Sequence, residues 1–270
     1  MDIEPTRAPL PLTGERTVPD VDDERYWYLR HVLAYRAAQA VVREVAGAPR
    51  RRAPLTVLDA GCGEGYGLAM LRAAGADRVV GVDLDVPTVA HARARYAATD
   101  PGIEVVAAEL REVPLPDDAV AVSVSLQVIE HLHDIPGYLA ELIRVTEPGG
   151  RVLIATPNRL TFTPDHDTPV NPFHTVEFTA VELMRLLERN GLDVEVVQGV
   201  HHAGAVATAE AARGVSVPRL LGAGPPEEWP GWLRRLVHGV EEADFRLAPG
   251  EPDASLDASL DLLASCRVPG

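Results

Sequence analysis

A chain of 270 residues, 46% of them hydrophobic, can bury one large core with additions or two small ones. Its formal net charge of −15 argues against a nucleic-acid backbone as the main partner, because such binding draws on clustered positive charge. No stretch approaches the roughly 20 apolar residues of a membrane span, so no membrane partner is expected. All 25 basic residues are arginine, which reads as GC-rich coding rather than function. The opening Met1-Asp2-Ile3-Glu4-Pro5 is acidic and lacks the apolar run of a signal peptide, so the cytoplasm is the expected location. Of the two cysteines, Cys62 and Cys266, the first sits inside a glycine-rich loop, which argues against a structural disulfide, and two cysteines without CxxC spacing suggest no zinc site.

In chain order, Pro5, Pro9, Pro11 and Pro19 predict an irregular arm over residues 1–20. Apolar positions at helical spacing predict a helix over about 23–45, and Ala48 to Pro54 reads as a polar linker. Strands and helices then alternate. Strands are predicted at 55–60, 78–83, 103–107, 119–126, 151–156 and 193–198. Helices are predicted up to about 74 after the first strand, then over 87–98, 136–146 and 180–190. The Glu147-Pro148-Gly149-Gly150 turn breaks the chain before the fifth strand. Thr179 with Glu182 reads as a capping box, and Gly191 as the residue that ends that helix. Further helices are predicted near 204–213 and 230–245. A last strand near 259–267 would insert antiparallel into the sheet, making 201–250 an excursion between the last two strands. This alternation predicts an α/β fold, a Rossmann-like, mostly parallel sheet with helices on both faces. The expected organisation is an arm and helix over 1–54, a cofactor-binding core over 55–198, and a helical excursion with the final strand over 199–270.

Val57-Leu58-Asp59-Ala60-Gly61-Cys62-Gly63-Glu64-Gly65 is a strand entering a glycine turn and then a helix. Glycines let a ligand approach the backbone, and the helix N-terminus receives a carboxylate as readily as a phosphate. Asp83 ends the next strand, 22 residues after Gly61, where a carboxylate can grip two ribose hydroxyls. A nicotinamide oxidoreductase would use the same aspartate, although the GxGxG spacing and the Glu-Pro-Gly-Gly turn speak against that class.

Asp59 to Gly67, Asp83, Glu109, the run Leu126 to Leu132 and the run Glu147 to Asn158 resemble, in order, the motifs of class I S-adenosylmethionine (SAM) dependent methyltransferases. That family has a seven-stranded sheet. The resemblance implies SAM as cofactor, with Asp59, Gly61, Gly63 and Gly65 under its methionine part and Asp83, with Leu84, at the ribose. It places Glu109 and Leu110 beside the adenine and Gln127 at the methionyl end. An acidic surface agrees with a cationic sulfonium. Leu12 to Thr17, Tyr26-Trp27, Arg30-His31, Thr168 to Thr175 and Ser259 to Leu262 resemble actinobacterial methyltransferases associated with methylglucose lipopolysaccharide. This implies O-methylation of a saccharide hydroxyl, the acceptor being a small molecule or oligosaccharide. Methylation of an amine or phenol of a specialised metabolite is the alternative, and a non-catalytic SAM-binding subunit remains open. The oligomeric state is also open, a homodimer included.

Val128 to His131 and His174 to Thr179 resemble the metal-binding segments of small-RNA 3′-terminal 2′-O-methyltransferases, and ubiquinone-pathway O-methyltransferases share the first segment. That resemblance implies Glu130, His131 and His174 as catalytic residues and as ligands of a divalent metal, with Gln127 standing where a glutamate ligand is expected. Magnesium or manganese would serve, and imidazole donors favour manganese, cobalt or zinc. His131 acting alone as base is the competing reading. His133-Asp134 reads equally as a polar turn capping the next helix, and Asp165-His166-Asp167 as a binding loop or a solvated one. Tyr26, Trp27 and Tyr28 would cover the cofactor, stack on a sugar, or pack the arm. His201-His202 reads mainly as part of the irregular segment.

Overall fold

A computed structural model describes residues 10, 17–48, 53–164, 166, 168–250 and 256–270. Most of the predicted arm and linker, with Asp165 and Asp167, therefore lies outside the described residues.

Helix α1 (Arg25–Ala46) leads into β1 (Thr56–Ala60), α2 (Tyr66–Ala73), β2 (Arg78–Asp83), α3 (Val86–Ala92), β3 (Ile103–Ala107), β4 (Val120–Leu126), α4 (Ile135–Val145) and β5 (Thr146–Pro157). Then come α5 (Arg159–Phe162), α6 (Ala180–Arg189), β6 (Asp193–His202), α7 (Gly204–Arg213), α8 (Val217–Leu221), α9 (Gly231–Gly239), β7 (Phe245–Pro249) and β8 (Asp261–Arg267). One sheet runs β3-β2-β1-β4-β5-β8-β6-β7. Pairings among β1 to β5 are parallel, and those of β8 and β7 are antiparallel.

The sheet is buried on both faces, which is why its strands read as continuous apolar runs. One face packs on α1, α2 and α3 through residues such as Val42, Leu68 and Val89. The other packs on α4 and α6 through Leu139, Leu142 and Leu183. A third cluster joins Tyr26 and Leu29 to Val206, Leu233 and Phe245 of the segment before the last strand. Helix α6 carries the expected capping box between Thr179 and Glu182, and Gly191 follows it at φ +92°.

Three expectations are corrected. The sheet has eight strands rather than seven, because Phe245–Pro249 pairs with the outer edge of β6. This strand is short, carries Arg246 and ends in proline, features tolerated only at an edge and easily read as loop. The helix expected over 230–245 accordingly stops at Gly239. The Glu147 to Gly150 turn does not separate α4 from β5: Thr146 already pairs with Val120, and the register shift before Val122 absorbs the irregularity.

The last strand lies inside the sheet, where β8 pairs with β5 from Asp261 to Arg267 and with β6 on its other side. Leu262, Leu263, Ala264 and Cys266 are buried, and each leucine contributes about 1.5–3 kcal/mol by burial. Truncation after Pro252 would remove an interior strand and part both neighbours. The truncated chain is expected to be insoluble or to lose its cooperative melt by circular dichroism. A soluble product with the full-length melting temperature would contradict this placement.

Candidate active site

The glycine turn between β1 and α2 takes a path that side chains oppose. Gly61, Gly63 and Gly65 have φ of +83°, +53° and +103°, in the left-handed region that favours glycine. At Gly67 a Cβ would lie 2.1 Å from the Tyr35 ring, so α1 packs directly on the first turn of α2. Asp83 holds the turn from the next strand, its carboxylate accepting from the Gly63 amide at 2.9 Å and the Asp85 amide at 3.0 Å. Leu84 is 68% exposed and Val86 64%, an apolar ledge beside that carboxylate which an adenine ring could cover. Ala108 N donates to Asp83 O, bringing Leu110 toward the same end of the sheet. Glu109 is exposed and ion-paired with Arg111 at 2.7 Å, so its side chain is committed to a surface pair.

Asp59 lies beneath the turn, fully buried, with both oxygens accepting from the Tyr35 hydroxyl at 3.2 and 3.1 Å. Burial pushes its carboxyl up to about 7 from an ordinary 3.8; the Tyr35 hydrogen bond opposes this and the nearby Asp83 adds to it. A carboxyl whose pKa is raised on folding favours the native state fully below pH 4, and loses that contribution as pH rises through 7. The shift corresponds to at most about 4 kcal/mol. The neutral isostere Asp59→Asn is therefore expected to gain melting temperature over wild type progressively from about pH 4 to about pH 7 and to level off above that. A difference independent of pH would contradict this.

At the C-terminal end of β4 the backbone turns through Gln127 at φ +58° into a 3-10 turn, Ile129–His131. Glu130 is buried, and one oxygen accepts from Thr156 at 3.0 Å. The other, Oε1, has no hydrogen-bond partner among the described residues. Burial pushes this carboxyl up to about 8, which its own backbone amide and the Thr156 hydrogen bond only partly offset. His131 Nε2 lies 4.0 Å from Glu130 Oε1, and Nδ1 sits 3.2 Å from the Phe173 carbonyl oxygen, which makes Nδ1 the donor. Burial holds this imidazole below its usual range.

The loop after β5 returns to this point. Thr175 N and Oγ1 both donate to the Glu130 carbonyl oxygen, at 2.7 and 3.0 Å. They bring His174 against His131, with ring centroids 4.9 Å apart. Candidate ligand atoms of Glu130, His131 and His174 all lie within 4.8 Å of one another. A buried carboxylate oxygen without a donor, facing two imidazoles, fits a divalent cation. His174 Nδ1 donates to Glu177, 2.7 Å away and itself buried, in the manner of an outer carboxylate that orients a ligand histidine. Asn171 Nδ2 sits 3.0 Å from His174 Nε2.

These three residues line a cavity of about 650 Å³. Trp27 and Arg30 of α1, Thr161 and Phe162 after β5, and Arg219 of α8 form other walls. The three N-terminal aromatics divide their roles. Tyr26 is core, hydrogen-bonded to His202, whose other nitrogen meets Glu210. Trp27 lines the cavity, and Tyr28 packs edge-on against Tyr66 of the glycine turn. His202 is thus structural. Asp134 caps α4 through the Gly137 amide, the plain reading of that turn. Residues of α8, with Tyr35, are not legible in the sequence as site residues because nothing in their spacing links them to the site, whereas Glu177 lies within the segment His174 to Thr179 singled out there.

A glycine turn between β1 and α2, a carboxylate ending β2 and a cavity at the C-terminal sheet ends define a cofactor-binding α/β protein of the Rossmann-like class. Residues 58–154 match the model of a methyltransferase domain. A protein of Mycolicibacterium smegmatis, described as a probable S-adenosylmethionine-dependent methyltransferase, is 45% identical over 257 residues, 94% of each chain. One from Mycobacterium tuberculosis with the same description is 43% identical over 259 residues, covering 95% of this chain and 89% of that protein. The chain belongs to the S-adenosylmethionine-dependent methyltransferases. Solved structures agree in fold. The SAM-dependent methyltransferase of Mesorhizobium loti superimposes with a TM-score of 0.54 at 20% identity, over 88% of this chain and 99% of that one. Geranyl diphosphate C-methyltransferase of Streptomyces coelicolor, solved with Mg2+, gives 0.53 at 18% identity over 86% and 77%. Among the described residues no helix is long and apolar enough to cross a membrane.

Proposed function

We propose that this methyltransferase methylates a hydroxyl of a saccharide of glucose type, with a divalent cation held by Glu130, His131 and His174. The observation that carries the reading is the unpartnered, buried Oε1 of Glu130 facing two histidines on the wall of the cavity. SAM supplies an already activated methyl group, so positioning accounts for much of the rate. A sugar hydroxyl is a poor nucleophile until its proton is removed, and a bound cation would lower its pKa. Gly61, Gly63 and Gly65 would let the methionine part approach the backbone, Asp83 would hold the ribose, and Leu84 with Leu110 would flank the adenine. Gln127 would lie between donor and acceptor. Trp27, His31, Phe162 and Pro172, which line the cavity, would exclude water from the acceptor. The cytoplasmic location expected from the sequence suits both a soluble donor and this acceptor.

A second reading has its own observation. Asn171 Nδ2 already occupies the neighbourhood of His174 Nε2, which leaves His131 as a neutral base whose Nδ1 is held by Phe173 O. Incubation with labelled SAM and a panel of glucosides, amines and phenols tests the acceptor class. Preferred transfer to an amine or phenol would replace the saccharide reading.

A further inference from the structure

Arg30 is 5% exposed, yet it lines the acceptor cavity. Its Nε lies 2.9 Å from Asp261 Oδ2 of β8, both side chains being almost completely buried. Its guanidinium lies 4.7 Å from the Trp27 ring centre and 5.0 Å from that of Phe162, a slot that fixes its plane. Asp261 in turn accepts from Gln127 Nε2 at 3.2 Å. Two donors are left over: Nε, which meets Asp261 only as an ion pair, and Nη1 are both buried and have no hydrogen-bond partner among the described residues. A buried donor without an acceptor is costly, and sites that bind polar ligands leave such groups for the ligand to satisfy. Asp261 already neutralises the charge, so the slot does not call for an anion. It calls for an uncharged oxygen at a fixed direction.

We infer that Arg30 determines which acceptor is used, its Nη1 donating to a hydroxyl or ring oxygen of the saccharide next to the hydroxyl that is methylated. This rests on the saccharide reading above. The aromatic slot holds the guanidinium rigid, so little side-chain freedom is lost when the acceptor binds. The Asp261–Gln127 link ties that grip to the turn carrying Glu130 and His131.

The test compares maltotriose with its monodeoxy analogues in wild type and Arg30→Lys, which keeps a charge opposite Asp261 but loses the planar fork. In wild type one analogue is expected to lose at least tenfold in kcat/KM. In Arg30→Lys the maltotriose KM should rise at least tenfold, and the penalty for that analogue should shrink to within twofold, with S-adenosylhomocysteine affinity within twofold of wild type. Should the lysine variant fail to fold, Arg30→Met combined with Asp261→Asn removes both charges and is expected to lose the same discrimination. Deoxy penalties unchanged from wild type would overturn the inference. So would cofactor affinity and melting temperature falling together with activity, the mark of a purely structural ion pair. If wild type methylates an amine or phenol and no glucoside, the saccharide reading fails by itself; an unchanged KM for that acceptor in Arg30→Lys then overturns the role of Arg30 separately.

Discussion

Asp83→Ala is expected to weaken both SAM and S-adenosylhomocysteine by a factor of roughly 10²–10⁴. Two charge-assisted hydrogen bonds from the ribose hydroxyls to this carboxylate would contribute about 1.5–3 kcal/mol each, and about 1.4 kcal/mol is tenfold in affinity. The same carboxylate also anchors the Gly63 and Asp85 amides, so its loss loosens the turn as well as the ribose grip. Asp83→Asn keeps the size of the side chain and one acceptor oxygen, and is expected to fall between wild type and alanine. Titration calorimetry or the ligand-induced rise in melting temperature reads the effect, since a ligand that binds only the native state stabilises it. A SAM affinity within threefold of wild type, or a melting shift with NADH and none with SAM, would remove Asp83 from the cofactor site.

The second large effect concerns the residues around Glu130. His174→Ala is expected to lower turnover by about 10²-fold or more, the range in which loss of a proton-handling group or of a metal-supporting residue falls. Glu177→Gln should be milder, because it keeps a hydrogen bond to His174 Nδ1 and removes only the charge behind it. Metal titration of the protein alone, by calorimetry with Mn2+, separates a ligand from a base: His174→Ala should abolish the binding isotherm, and Glu177→Gln should weaken it. Near-normal turnover for His174→Ala, with an unchanged isotherm, would leave His131 as the favoured base.

The glycine turn, the strand ends at Asp83 and Gln127, and the capping box at Thr179 are legible because their information is local. Each depends on residue types at fixed spacing along a few positions. The antiparallel insertion of a last strand near 259–267 is likewise an expectation of the sequence that the pairing of β8 with β5 and β6 meets. What failed was the edge: Phe245–Pro249 has too few residues, and too polar a pattern, to announce itself as a strand. Contacts made across long separations left no trace in the sequence. Tyr35 meets Asp59 from another element, and Asp261 meets both Arg30 and Gln127 from the far end of the chain. His174 lies 43 residues beyond His131; only the family resemblance joined them, and the Thr175 hydrogen bonds to the Glu130 carbonyl supply the physical reason.

Methyl transfer from labelled SAM to maltotriose, measured with metal-stripped protein and again after Mn2+ or Mg2+ is restored, bears most directly on metal-assisted O-methylation of a saccharide. Labelled product with the methyl group on a sugar oxygen is expected, with loss of at least tenfold in rate in excess chelator and recovery on adding the ion back. Full activity in excess chelator, or a label found on no sugar oxygen under any metal condition, would contradict it.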